Sequence, residues 1–177
     1  MRKIANSIVV VGSILLFGVG CQTTGDNSPS ASGGECEPLS GWEMNKNCFS
    51  SQEARADWEL AQDKYPEHLF NMGLRFQLGE GVPQSYKVAY RFYKLAAEEG
   101  NADAQNNLGR LYFYGYGVKK NHTRSYMWLK VAEQNPYRYN ELSARNMKRI
   151  FRQIRPFYIS EGRKLAQKCI KQDYKGC

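Results

Sequence analysis

Residues 66 to 101 align with residues 102 to 137 at an offset of 36 without a gap, and this internal repeat limits the fold more than any other feature of the chain. Eight positions are identical: Asn71/Asn107, Gly73/Gly109, Gly79/Gly115, Gly81/Gly117, Val82/Val118, Tyr90/Tyr126, Lys94/Lys130 and Ala96/Ala132. Between them, Met72/Leu108, Phe76/Tyr112, Phe92/Trp128 and Leu95/Val131 are conservative pairs. A unit of this length cannot bury an apolar face alone, so neighbouring units must stack into a continuous core.

Each unit reads as two helices. Leu69, Met72, Gly73 and Phe76 stand at i, i+3, i+4 and i+7, one stripe of a helix. Ala89, Phe92, Tyr93 and Ala96 repeat the spacing, and Ser125, Trp128, Leu129 and Ala132 are their counterparts one unit later. Gly73 costs its helix about 1 kcal/mol against Ala, which a second helix crossing closely at that point compensates. Gly79 suits a left-handed helix end, and Gly81 a chain reversal that turns Val82 inward. The expected linker is a tight helix-turn-helix corner.

The segments NMGLRFQLGEGVPQSYKVAYRFYKLAAEEGN and NNLGRLYFYGYGVKKNHTRSYMWLKVAEQ resemble the Sel1-like repeat, a relative of the tetratricopeptide repeat. Leu108, Gly109 and Tyr112, the Gly-x-Gly-Val turn and the aromatic pair ahead of Ala-Ala carry the resemblance. The second unit departs from the family pattern at Asn121 and Glu133, and Pro136 replaces its closing glycine, which is expected to end the regular array. The resemblance implies an all-α fold, a short right-handed solenoid of antiparallel helix pairs with helical caps. It also implies an adaptor that binds a protein or peptide, with no cofactor. Some relatives are linked to peptidoglycan-derived ligands or β-lactam binding, so a cell-wall enzyme or enzyme subunit is the alternative, beside a structural part of an envelope complex.

The flanks read as caps. In residues 48–65, Ser51 is expected to cap a helix over 55–63 that packs Trp58 and Leu60 on the first repeat, which itself spans 66–101 and is followed by the second over 102–137. Residues 138–177 read as a basic helical cap, with helices over 142–154 and 159–170 split by Pro156.

Residues 1–20 read as a targeting segment, with Arg2 and Lys3 ahead of an apolar run over 8–19 that is short for a membrane span. Gly18-Val19-Gly20-Cys21 resembles the lipobox of bacterial lipoproteins, with Gly18 where Leu is usual. The resemblance implies that Cys21 is acylated as the mature N-terminus. Gln22, where an inner-membrane retention signal has Asp, implies an outer-membrane protein facing the periplasm. Residues 21–47 then serve as a tether, since 23–34 are rich in Ser, Gly, Thr and Asn and cannot build a core.

Setting Cys21 aside leaves Cys36, Cys48, Cys169 and Cys177, an even count that favours two disulfides in an exported chain. Three pairings are possible, and the local ones, Cys36 with Cys48 and Cys169 with Cys177, are favoured. A metal site is the rival, yet 11 and 7 residues separate these pairs, unlike zinc knuckles, and only His68 and His122 are available to join them. The spacing of Cys169 and Cys177 is similar to that of cysteine-rich Sel1-like proteins, where a disulfide joins a repeat's second helix to the next first helix.

Charge is one-sided. The chain has 25 Lys and Arg against 17 Asp and Glu, and residues 138–177 hold 11 of the basic and 3 of the acidic ones, so 11 − 3 = +8 accounts for the whole excess. Arg145, Arg149 and Arg152 share one helical face, either solvated surface or a contact for anionic lipid, lipopolysaccharide or an acidic partner. Nucleic acid is excluded by the export signal. Gly79-Glu80-Gly81 and Gly115-Tyr116-Gly117 lack the third glycine and the preceding strand of a dinucleotide loop. No Ser-His-Asp, paired-carboxylate or metal-ligand spacing stands out, and His68 and His122 are expected to be exposed or capping residues. Repeat aromatics such as Phe92/Trp128 fill the core, whereas Phe113, Tyr114 and Tyr116 cannot all share one stripe, so some, with Tyr114 and Tyr116 the binding candidates, are exposed at the turn.

Overall fold

The computed structural model describes residues 48–136 and 141–177; the segments expected to be signal and tether, with Cys21 and Cys36, lie outside the described residues. Among the described residues the chain forms seven α-helices and no strand. They are α1 (Gln52–Ala61), α2 (Pro66–Leu78), α3 (Tyr86–Glu98), α4 (Ala102–Tyr114), α5 (His122–Gln134), α6 (Glu141–Phe151) and α7 (Pro156–Lys171). The expected all-α repeat architecture is present: α2 pairs with α3, α4 with α5, and α3 stacks on α4.

The two units close their corners with the same hydrogen bonds. Gly79 and Gly115 take left-handed φ values of 79° and 82°, and their amides donate to Arg75 O and Leu111 O at 2.7 and 2.8 Å. The second helix of each unit starts on a side-chain cap, Ser85 accepting from the Val88 amide and Asn121 from the Arg124 amide. The next glycine makes the contact between units. A Cβ on Gly81 would lie 2.6 Å from Ser51 Oγ, and one on Gly117 would lie 2.2 Å from the Tyr86 carbonyl.

Inside the pairs, the helical glycines let the partner helix approach. A Cβ on Gly73 would fall 2.5 Å from the Tyr93 ring, and one on Gly109 would fall 2.6 Å from Leu129. That closeness compensates for the glycine's cost to its own helix. Phe76 and Phe92 stack at 5.7 Å, and Trp128 is buried, so the repeat aromatics fill the core as expected.

The caps differ from expectation in three respects. Ser51 does cap α1, accepting from the Ala54 amide, but the stripe packed inward is Ala54, Trp58 and Ala61, while Leu60 is 44% exposed. Leu60 lies two residues beyond Trp58 and so points off the stripe. Pro156 does not separate helices from outside: it opens α7 in its first turn, where its missing N–H has no intrahelical role. Pro136 stops α5, but the period continues past it. Adding 36 to the bounds of α4 and α5 gives 138–150 and 158–170, close to α6 and α7. The pairing does not continue, because α7 packs chiefly along α5, with Gly162 against Thr123 and Tyr126. Cys169 and Cys177 form a disulfide with Cα atoms 5.5 Å apart, tying the end of α7 to the segment after it. Tyr174 there packs by Gly100, and Lys175 Nζ pairs with Glu99 at 2.7 Å. Cys48 is also disulfide-bonded.

Candidate functional site

The array has two edges, one where α2, α4 and α6 end and α3, α5 and α7 begin, the other at the opposite helix ends. A helix of 13 residues, such as α4, sets them about 20 Å apart. The turn edge carries a continuous series of rings. Tyr86 meets Tyr116 at 5.0 Å, Tyr116 stacks on Tyr114 at 5.3 Å, and Tyr114 meets Phe113 at 5.0 Å. Phe113 stacks on His122 at 5.3 Å, His122 meets Tyr158 edge-on at 5.6 Å, and Tyr158 meets Phe157 at 5.5 Å. Tyr114 and Tyr116 are 40% and 48% exposed, Phe157 is 70% exposed, and Phe113 is buried. Two consecutive aromatics on α4 therefore divide, one into the core and one outward.

Tyr86, Tyr114 and Tyr116 wall a small cup completed by Gln77, Arg110 and Leu111. Its floor is fixed by hydrogen bonds: Arg110 donates to Asn107 Oδ1 at 3.2 Å, and the buried Tyr93 hydroxyl donates to Gln77 Oε1 at 3.1 Å. Burial raises the Tyr93 phenol well above the ordinary tyrosine range, so it stays a neutral donor. The cup joins an apolar wall to a guanidinium with donors to spare, which suits an apolar side chain next to a carboxylate or carbonyl. A second phenol pair, Tyr90 and Tyr112, shares a 2.8 Å hydrogen bond, and Arg124 donates to Tyr112 at 3.2 Å.

Arg145, Arg149 and Arg152 are all exposed, and none pairs with a carboxylate among the described residues. They belong to α6 and its end and do not line the tyrosine cup, so the sequence candidates form two separate places. The opposite edge holds a broad open cleft with Glu67, Glu98, Glu99, Asp103 and Asp173 around Lys175. Partial burial raises the Asp103 carboxyl above its usual range.

The histidines are neither bare nor capping. His122 is the first residue of α5, after its cap Asn121, and is held between Phe113 and Tyr158 with Nε2 buried and without a hydrogen-bond partner among the described residues. Burial, then the charges of Lys120 and Arg155, holds its pKa below the ordinary histidine value. His68 stands half-buried with Nδ1 3.6 Å from Asp57 Oδ1, while Arg75 Nε donates to Asp57 Oδ2 at 2.7 Å. Among the described residues no group of three or more His, Cys, Asp or Glu is placed to hold a metal.

Sequence reasoning missed Tyr86, Arg110 and Phe157. Tyr86 had a usable signal, since it aligns with His122 at the period and both open a second helix beside the glycine turn. Arg110 had none, because its apolar counterpart Leu74 gives no hint of a polar floor.

Comparison with known proteins agrees with this architecture. The Sel1 repeat family matches residues 67–101 and 102–135. The two matches together cover 69 of the 177 residues. An uncharacterized Sel1-like repeat-containing protein of Schizosaccharomyces pombe is 44% identical over 46 residues, which are 26% of this chain and 7% of that protein. A solved structure, a protective antigen present in uropathogenic Escherichia coli strains and displaying an SLR fold, superposes with a TM-score of 0.62 at 23% identity. That likeness covers 71% of this chain and 28% of the other, and it bears on the fold alone. The chain thus spans a small part of the length of either relative. Sel1 repeats generally mediate protein–protein interaction, and their fold is typically a non-enzymatic scaffold.

Proposed function

We propose that this chain is a lipid-anchored protein of the bacterial envelope whose Sel1 repeats dock an envelope protein or peptide. The observation that supports the docking most directly is the tyrosine cup, in which half-exposed rings stand on a hydrogen-bonded floor between two repeat units. Exposed tyrosines bring apolar area and a polar tip to an interface with few rotatable bonds to fix. Anchoring rests on the lipobox-like sequence at Cys21 and on the outer-membrane sorting that Gln22 implies. No helix among the described residues is long and apolar enough to cross a membrane, which fits attachment through a lipid.

The test is an affinity capture from detergent-solubilised envelopes with the full chain and with Tyr114→Ala/Tyr116→Ala. A partner held by the parent and lost by the variant supports the cup; equal capture moves the interface elsewhere. Mass spectrometry of the native N-terminus tests the anchor, since an unmodified residue other than Cys21 there removes it.

A further inference from the structure

We infer that the corner where α6 meets α7 is a second, non-covalent membrane contact, by which this protein rests the Phe157 end of its turn edge, opposite the tyrosine cup, on an anionic lipid surface. The corner consists of Phe157, Arg152 and Arg155, with Lys120 on the neighbouring turn. Phe157 is 70% exposed, and Tyr158 supplies its one ring contact among the described residues. Lys120 Nζ lies 5.8 Å from the centre of the Phe113 ring, within the same ring series that ends in Phe157, and the charges of Lys120 and Arg155 both act on His122 in that series. None of Arg152, Arg155 and Lys120 pairs with a carboxylate among the described residues.

The charge of the two edges identifies the occupant. No acidic residue occurs between Glu141 and Glu161, and Glu80 is the single acid in the three connecting turns, 79–85, 115–121 and 152–155. The far edge, about 20 Å away, carries Glu67, Glu98, Glu99, Asp103 and Asp173. Protein surfaces commonly intersperse both signs of charge over such a span. A bilayer with anionic headgroups presents one sign across a plane with hydrocarbon beneath it, matched by a cationic edge bearing a projecting aromatic ring. The acidic edge is repelled by the same plane, so the contact also fixes which way the repeats face. This deepens the membrane-attachment part of the proposed function, but depends on neither acylation of Cys21 nor occupancy of the tyrosine cup.

The experiment places benzoylphenylalanine at Phe157, or at Tyr65 on the acidic edge, in the full chain mixed with vesicles. Tyr65 is the control because it too is an exposed aromatic, at the start of α2. With vesicles of equal parts phosphatidylglycerol and phosphatidylcholine, irradiation should give several-fold more lipid adduct from position 157 than from 65. The excess should disappear with phosphatidylcholine alone, and with Arg152→Glu/Arg155→Glu in a chain whose circular dichroism matches the parent. Equal adducts from the two positions, no lipid adduct from 157, or an excess that persists on neutral vesicles overturns the inference. Sedimentation with neutral vesicles reports the Cys21 anchor separately, so loss of the anchor is distinguishable from loss of the edge contact.

Discussion

Gly117 and Gly176 have similar positive φ values, 66° and 70°, in different surroundings. A Cβ on Gly176 meets nothing within 4 Å, whereas one on Gly117 runs into the backbone of Tyr86 and Lys87 in the preceding unit. Gly176→Ala should therefore cost only the left-handed strain, roughly 1 kcal/mol, and Gly117→Ala that strain plus a backbone clash, roughly 3 kcal/mol. Thermal melts of the two variants check this, and equal melting would show that the Gly117 contact does not hold the units together. The repeat made Gly117 visible in the sequence, but not its neighbour, because the clash is with another unit. His122 was less legible still, since its rings come from α4 and α7. Its lowered pKa has a sign: the unfolded chain binds the proton more readily, so the stabilisation is present above the ordinary value of about 6.5 and is lost as pH falls through the depressed folded value. The melting temperature should drop between about pH 7.5 and about pH 5.5, and His122→Gln should flatten that drop. A parent whose melting is flat over the window removes His122 as its cause.

Elements were legible where their residues answer to a period and less so where packing chose the face. The glycine turns and the paired stripes of α2 to α5 follow from spacing alone. On α1 the inward stripe is Ala54, Trp58 and Ala61, and Leu60, two residues beyond Trp58, falls off it. On α7 the inward residues are Gly162, Ala166 and Cys169, all small, which lets it lie along α5 and not beside α6. Its end is fastened by the Cys169–Cys177 disulfide and by Lys175 on Glu99. Closing a loop this short restricts the unfolded chain by about 2.5 kcal/mol. Cys177→Ala should lower stability by about that much in urea unfolding and raise amide exchange over residues 172–176. The single substitution is preferable to a reductant, which would also open the bond at Cys48. Unchanged exchange in the variant would mean that the packing of Tyr174 by Gly100 holds the segment without the disulfide.

Among the described residues five carboxylates gather at one edge and the cations of the α6–α7 corner at the other, and the spacing of the edges makes their interplay depend on salt. Sequence counting found the basic excess after residue 137, but not the acidic edge, whose carboxylates come from α2, α3, α4 and the end of α7 and meet only in the fold. At physiological salt the screening length is roughly 8 Å, well short of the separation of about 20 Å, so a surface approached by the basic edge does not sense the acidic one. At 0.01 M salt the length grows to about 30 Å, and the acidic edge then opposes the approach. Glu67→Gln/Asp173→Asn, changed together, should therefore increase association with anionic vesicles at low salt and leave it unchanged at physiological salt. Arg145→Glu/Arg149→Glu/Arg152→Glu should weaken it at both, with folding intact, because exposed charges of this kind contribute below about 1 kcal/mol each to stability. Stopped-flow association at the two salt concentrations separates the cases. An acidic-edge variant that gains equally at both would place those carboxylates within a screening length of the bound surface, and the orientation inferred from the two edges would have to be reversed or abandoned.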